Sequence, residues 1–212
     1  MGSLVEPLAE LLVVASVAAL VLRHLRQGVF ALALQGLTLA LLVHLLHPGP
    51  AGWLSVGLVV VAKVVLVPYL LLRTARLHRA FEASESVSRW VYPGIFAALL
   101  AVRSVDPLAV VAVQGASPAL ALLLPAGLGM MLLGLVALAT RSLLPSQMLG
   151  ISLTENGVYA TGVALTHGLP LVLDGAIVLD LVLALVLLAW LTGRIRSVWG
   201  HLDAEQLDRL RG

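Results

Sequence analysis

Three charged side chains lie inside long apolar stretches of this 212-residue sequence, and they are the residues best suited to chemistry. Lys63 and Asp180 each lie near the middle of such a stretch, and Glu155 lies about 10 Å from the end of another at 1.5 Å per residue. A charge at the centre of a bilayer costs about 2.5–3.5 kcal/mol, so these side chains should face the protein interior or water. Carboxylates and an amine in such a setting can take up and release protons.

Two interpretations of these charges are open. In the first, Glu155, Asp180 and Lys63 line a hydrated path for protons or other ions. In the second, Lys63 forms an ion pair that neutralises Asp180 or an acid of a partner protein. The two are compatible, since an ion pair also tunes the protonation of a relay group. We further expect Glu155 and Asp180 to be buried at similar depth and to face the same interior.

Three other polar residues are weaker members of the same path. Gln35 is of the type that hydrogen-bonds between helices, and His44 lies towards the end of its stretch. Asp174 lies near the outer end of the last stretch, where solvation is the main expectation. His44 and His47 have an HxxH spacing, but no acid joins them and the sequence has no HExxH, so no metal site is predicted. Pro68 is expected to kink the helix beside Lys63.

The elements that must position these residues are membrane-spanning helices. Hydrophobic residues make up 60% of the sequence and charged residues 11%, with a mean hydropathy of +1.05. Soluble domains carry about 25% charged residues, which excludes an ordinary soluble fold. The sequence therefore predicts an all-α membrane protein with about seven transmembrane helices. The stretches cover residues 5–22, 29–46, 53–73, 90–104, 119–139, 148–166 and 170–192.

The distribution of basic residues predicts the orientation. With seven crossings, eleven of the thirteen Lys and Arg residues fall on one side of the membrane, while Arg103 lies opposite and Lys63 lies within a span. Because basic residues concentrate on the cytoplasmic side, the N-terminus is predicted to be outside and the C-terminus cytoplasmic. The short fourth stretch is the weakest span, but a six-helix arrangement would break this pattern.

We interpret residues 1–212 as one polytopic domain with a weak internal repeat of the first three and last three helices. An offset of 120 pairs Gln35 with Glu155 and His47 with His167, and an offset of 117 pairs Lys63 with Asp180. The predicted parts are an N-terminal three-helix unit (1–79), a linker with the fourth helix (80–118), a C-terminal three-helix unit (119–200) and a cytoplasmic tail (201–212).

Three segments carry a resemblance to a known family. AKVVLVP (62–68), LTENG (153–157) and LDAEQLDRLRG (202–212), in this order and spacing, resemble component E of hydrogenase 4. That family supplies a membrane subunit of formate hydrogenlyase-type, group 4 [NiFe]-hydrogenase complexes. The last third also looks like the small K subunit of respiratory complex I and the C subunit of multisubunit cation/proton antiporters. In the K subunit two adjacent helices each carry an intramembrane Glu; Glu155 matches the first, and the shorter Asp180 replaces the second.

The resemblance implies a role in an electron-transfer complex of a bacterial or archaeal cytoplasmic (inner) membrane. The chain would contribute to proton or sodium translocation within a membrane arm. Its partners would be antiporter-like subunits, the subunit that anchors the peripheral arm, and lipid. The nickel–iron centre and iron–sulfur clusters are expected on partner subunits, because this chain has no Cys. No catalytic residue, cofactor site or nucleic-acid partner is expected in the chain itself.

Two alternatives to this function remain open from the residues alone. One is a purely structural subunit of the membrane arm, whose charges hold partner helices in register. The other is a subunit of a multisubunit cation/proton antiporter, or a stand-alone transporter, with no redox partner.

Overall fold

The computed structural model describes residues 2–46, 49–77, 88–106, 118–166 and 171–199 of the chain. These residues form seven helices and no strand, which confirms the predicted all-helical class. The helices correspond in order to the seven predicted stretches. They are α1 (Gly2–Val21), α2 (Leu25–Leu46), α3 (three consecutive segments, Pro50–Val59, Val60–Leu66 and Val67–Leu77), α4 (Val91–Ser104), α5 (Pro118–Thr140), α6 (Leu144–Thr166) and α7 (Leu171–Trp199).

Four of the described helices contain segments long and apolar enough to cross a membrane. These segments are Leu4–Val21, Leu25–Leu46, Gly52–Arg76 and Ala121–Thr140, and shorter apolar helical segments cover Val91–Ser104 and Leu179–Leu191. Large apolar side chains such as Phe30, Tyr69 and Phe96 are more than half exposed on the outside of the bundle. Such a surface is stable in lipid and unfavourable in water. The chain is therefore a membrane protein, while its number of crossings and its orientation stay predictions.

Helices α5 and α6 form a tightly packed hairpin joined by residues 141–143. Glycines bring the two backbones into contact. A Cβ added to Gly127 would lie 2.7 Å from the backbone nitrogen of Thr161, and one added to Gly157 would lie 2.7 Å from the carbonyl oxygen of Gly127. Small residues allow this close approach between membrane helices. This packing fixes the position of the polar residues of α6 relative to α5.

Among the described residues, the interior has two apolar clusters with a layer of polar side chains between them. The polar residues are Ser16, Gln35, Lys63 and Asn156, and none is more than 2% exposed. Along its own helix, each of them lies within about one turn of a residue of the first cluster and of a residue of the second cluster. The flanking pairs are Leu12 and Ala19, Leu39 and Leu32, Val59 and Val67, and Tyr159 and Leu153. We call this set of four residues the polar layer.

Arg141 connects the α5–α6 turn to the end of α1. The sequence interpretation treats it as a cytoplasmic loop charge, but it is only 7% exposed. Its Nη2 donates hydrogen bonds to the carbonyl oxygens of Leu20 at 2.7 Å and Leu22 at 2.9 Å. The last carbonyls of a helix have no intrahelical donor and carry partial negative charge, so a guanidinium satisfies both needs. The α1 C-terminus and the α5–α6 turn therefore lie at the same end of the bundle.

A cavity of about 280 Å³ marks the opposite end of the bundle and is lined by Glu6 and Glu10 of α1 and by Arg103 of α4. Arg103 and Arg141 therefore lie near opposite ends of α1. Several predicted features lie outside the described residues: His47, His167, much of the linker (80–87 and 107–117) and the tail (201–212). The internal repeat and the division into parts stay predictions.

Candidate functional site

Lys63 lies in a π-helical segment of α3, Val60–Leu66, which ends two residues before Pro68. The backbone N–H of Val67 bonds the carbonyl oxygen of Ala62, five residues back, instead of the usual four. Proline at position 68 has no N–H and crowds the carbonyl four residues earlier, and the wider π turns relieve this conflict. The structure therefore shows a π segment at this point, a feature that is frequent at functional sites, and the kink expected from Pro68 stays a prediction.

The Lys63 ammonium is buried and held by three groups of α6. Its Nζ donates hydrogen bonds to Oε2 of Glu155, with which it forms an ion pair, and to Oδ1 of Asn156 at 2.8 Å. The same nitrogen lies 4.8 Å from the ring centroid of Tyr159, within the range of a cation–π contact. Because Lys63 is only 1% exposed, these partners replace the water that an ammonium would otherwise require.

Hydrogen bonds extend the site through the polar layer to α2 and α1. Nδ2 of Asn156 donates to Oε1 of Gln35 at 2.8 Å, and Nε2 of Gln35 donates to Oγ of Ser16 at 2.6 Å. The Ser16 hydroxyl donates in turn to the carbonyl oxygen of Leu12 at 2.8 Å. One line of polar contacts therefore crosses the interior from α3 through α6 and α2 to α1.

Gly36 allows α2 to approach this site closely. A Cβ added there would lie 3.0 Å from the Cβ of Lys63 and 3.2 Å from its backbone carbonyl. The α2 backbone therefore packs directly against the π segment. A larger residue at position 36 would push α2 away from Lys63 and lengthen the bond between Gln35 and Asn156.

Glu155 lies between the polar layer and an open cavity. Its side chain is 14% exposed, and while Oε2 pairs with Lys63, Oε1 is buried and has no hydrogen-bond partner among the described residues. The cavity has a volume of about 320 Å³ and is lined by Leu138 of α5, Asp180 of α7, and Ile151, Thr154, Glu155 and Val158 of α6. A carboxylate with an unused acceptor beside such a space can bind water or accept a proton from it.

The structure brings Asp180 to the same cavity but not into the interior. Asp180 is exposed and makes no hydrogen bond or ion pair within the described part of the chain. The predicted burial of Asp180 is therefore wrong for this chain by itself, and Lys63 pairs with Glu155, not with Asp180. The physical reason is the rotation of α7: Leu181 and Leu185 take its buried face, which turns Asp180 outward.

Of the three weaker candidates, one joins the network. Gln35 is fully buried in the polar layer and links Asn156 to Ser16. The ring of His44 instead packs against Trp53, with centroids 4.3 Å apart, and its Nδ1 has no hydrogen-bond partner among the described residues. The side chain of Asp174, in the first turn of α7, lies outside the described part of the structure.

Sequence reasoning missed three contributors to the site: Ser16, Asn156 and Tyr159. The Asn156-Gly157 pair suggests a weak or tightly packed point of the helix, and only the structure shows Asn156 bridging Lys63 and Gln35. The position of Asn156 next to Glu155 was the sequence signal that could have identified it as part of the site. Within the described ranges, no cluster of three or more His, Cys, Asp or Glu residues could hold a metal ion.

The amino-acid sequence of the chain is similar to that of known proteins. The chain is 30% identical over 218 aligned residues to Uncharacterized protein Rv0085 of Mycobacterium tuberculosis, covering 98% of this chain and 96% of that protein. It is 27% identical over 155 residues to Hydrogenase-4 component E of Escherichia coli K12, covering 72% of this chain and 70% of that protein, with the same values for the Shigella flexneri protein. No model of a known family and no solved structure matches the chain.

Proposed function

Since the chain belongs to the family of protein Rv0085 of Mycobacterium tuberculosis and is distantly similar to Hydrogenase-4 component E, we propose that it is a membrane-arm subunit of a complex I-like [NiFe]-hydrogenase assembly. In this proposal it crosses the cytoplasmic membrane several times, with its N-terminus outside. It sits among antiporter-like subunits and the subunit that anchors the peripheral arm. Electron transfer takes place on those partners, in a complex of the formate hydrogenlyase type.

We propose further that the chain takes part in proton or sodium translocation. The observation that carries this role is the buried Lys63–Glu155 pair, because one carboxylate oxygen holds the ammonium while the other lies beside a cavity and has no partner among the described residues. When Glu155 takes up a proton from the cavity, Glu155 loses its negative charge and binds the Lys63 ammonium less strongly. The ammonium then keeps its contacts with Asn156 and Tyr159 but loses a charged partner, so the protonation of Glu155 and the position of Lys63 are coupled.

The other members of the polar layer have a different role in this proposal. The amides of Asn156 and Gln35 do not exchange protons readily, since an amide nitrogen is neither a useful acid nor a useful base near neutral pH. They are positioning residues that hold Lys63 against Glu155 and Tyr159. Proton movement therefore uses Glu155, Lys63 and water in the cavity, with Asp180 as a second carboxylate at its outer wall.

A purely structural role is the second candidate. It is favoured by the burial of Lys63 and by its direct bonds to Glu155 and Asn156. Buried ion pairs contribute little net stability, but they can specify which helix faces meet. In this case Lys63 and Glu155 only join α3 to α6, and the cavity is a gap that a partner subunit fills. The two candidates make different predictions for the loss of the Glu155 charge.

The test is Glu155→Gln in the assembled complex, with Glu10→Gln as a matched control at an exposed position of α1. Co-purification of subunits, hydrogen turnover and ion uptake into sealed inverted vesicles are measured on the same membranes. We expect Glu155→Gln to assemble and to turn over hydrogen without ion uptake, and Glu10→Gln to behave like the unmodified protein.

Other results would contradict parts of the proposal. Normal ion uptake with Glu155→Gln would refute the translocation role. Loss of assembly that is restored by exchanging the charges (Lys63→Glu with Glu155→Lys) would establish the structural candidate. Purified complexes that contain antiporter subunits and no hydrogenase subunits would refute the hydrogenase assignment.

A further inference from the structure

One side of α7 exposes a regular stripe of large apolar side chains. Leu179, Leu183, Val186 and Trp190 are 69%, 55%, 46% and 68% exposed, and we call these four residues the α7 stripe. Their spacing of four, three and four residues is the pattern with which one helix packs along another. Leu181 and Leu185, on the other side of α7, pack into the core of this chain.

Asp180 adjoins the α7 stripe and is a charge on an otherwise apolar surface. It is exposed, and no described residue pairs with it. It lies nine residues after the first residue of α7 (Leu171–Trp199), about 14 Å along the helix at 1.5 Å per residue, which is too deep for its short side chain to reach the lipid headgroups. A carboxylate that faces hydrocarbon is strongly unfavourable, and since no described residue compensates it, a group on a neighbouring protein is the expected partner.

The charges around the cavity indicate the sign of that group. The cavity is lined by two carboxylates, those of Glu155 and Asp180, and Lys63 already pairs with Glu155. One negative charge is therefore left over at the outer wall. A second copy of this chain offers no suitable cation, because its basic residues other than Lys63 lie at the ends of the apolar stretches or between them.

We propose that the α7 stripe is the contact surface for a transmembrane helix of another subunit, and that this helix carries a Lys or Arg that binds Asp180. The side chain of that residue enters the cavity from the lipid side and approaches Asp180 and, behind it, Glu155. This inference rests on the proposed function in one respect: it takes the helix to belong to a neighbouring subunit of the same membrane arm.

The cysteine-free sequence allows a direct test by site-specific cross-linking in native membranes. Leu183→Cys carries a thiol-linked photo-cross-linker in the α7 stripe, and Val14→Cys, on the 61% exposed position of α1, is the matched control. We expect Leu183→Cys to cross-link one other membrane protein. Mass spectrometry should map the link to an apolar segment with a Lys or Arg within about one helical turn of the linked residue.

A charge exchange tests the chemistry of the contact. Asp180→Lys should reduce co-purification of the cross-linked partner at least about tenfold, since mispaired buried charges at an interface weaken binding by that much or more. Replacing the partner's basic residue by Asp in the same strain should restore it. Cross-linking to lipid only, to a second copy of this chain, or to a helix without a basic residue would each overturn the inference, as would unchanged co-purification with Asp180→Lys.

The identity of the partner separates this inference from the proposed function. If hydrogenase subunits co-purify while Leu183→Cys forms no protein cross-link, the α7 contact is wrong and the hydrogenase assignment stands. If the cross-linked helix carries a basic residue but belongs to a complex without hydrogenase subunits, the α7 contact stands and the hydrogenase assignment fails.

Discussion

Replacing Lys63 by Met should destabilise the chain because it leaves a carboxylate without its cation. Lys63 is 1% exposed and bonds both Glu155 and Asn156, so its loss removes an ion pair and the donor to the Asn156 amide oxygen. Removal of one member of a buried pair costs about 3–5 kcal/mol. Glu155 retains 14% exposure and adjoins a cavity, so it can be partly solvated, and we expect a value near the lower end of that range.

The informative comparison is a double variant, Lys63→Met with Glu155→Met. With both charges gone, the remaining penalty is the Asn156 oxygen without its donor, about 1–3 kcal/mol. The double variant should therefore be more stable than Lys63→Met, and also more stable than Glu155→Met, which leaves the ammonium without its carboxylate partner. Such strong non-additivity is expected of residues in direct contact.

Unfolding of the purified chain in mixed micelles, followed by fluorescence of its four Trp residues, gives the free energies. Arg103→Met removes an exposed cation at the end of α4 and serves as the control, with an expected change within about 0.5 kcal/mol. If the losses of the two single variants simply add in the double variant, Lys63 and Glu155 do not interact and the reasoning is refuted.

Two further predictions follow from the ends of the bundle. Arg141→Met should lower the free energy of unfolding by about 1–3 kcal/mol, because the last carbonyls of α1 lose a buried donor. Arg26→Met, at an exposed position, is the control and should have little effect. Equal losses for the two variants in the unfolding assay would contradict this capping role. Gln27 and Ser104 are both exposed, and single cysteines in their places should react with an impermeant maleimide from opposite sides of the membrane. The cysteine at position 27 should react from the cytoplasmic side. Labelling of both cysteines from the same side would refute the seven-crossing arrangement.

The helical class and the outlying charges could be predicted from the sequence. Hydropathy is a local property that adds along the chain, so seven apolar stretches correspond to seven helices in the described structure. A charge within such a stretch is conspicuous because its cost in hydrocarbon does not depend on the fold. Lys63 and Glu155 could therefore be singled out before any contact between them was known.

The partners of those charges could not be predicted in the same way. Asn156 and Ser16 are ordinary polar residues of membrane helices, and nothing local shows that they meet Lys63 or Gln35. Arg141 resembles any cytoplasmic loop residue until α1 is seen to end beside it. In each case the contact joins residues far apart in the sequence.

The sequence by itself determined that this is a helical membrane protein with a lysine and two acids inside its apolar segments. Only the tertiary structure decided that Lys63 pairs with Glu155 and that Asp180 faces outward. The physical reason is that a nearly uniform apolar helix has no strong preference for which face it buries. The rotation of each helix is set by its neighbours, here by the π segment of α3, the glycine contacts of α5 with α6, and the packing of Leu181 and Leu185.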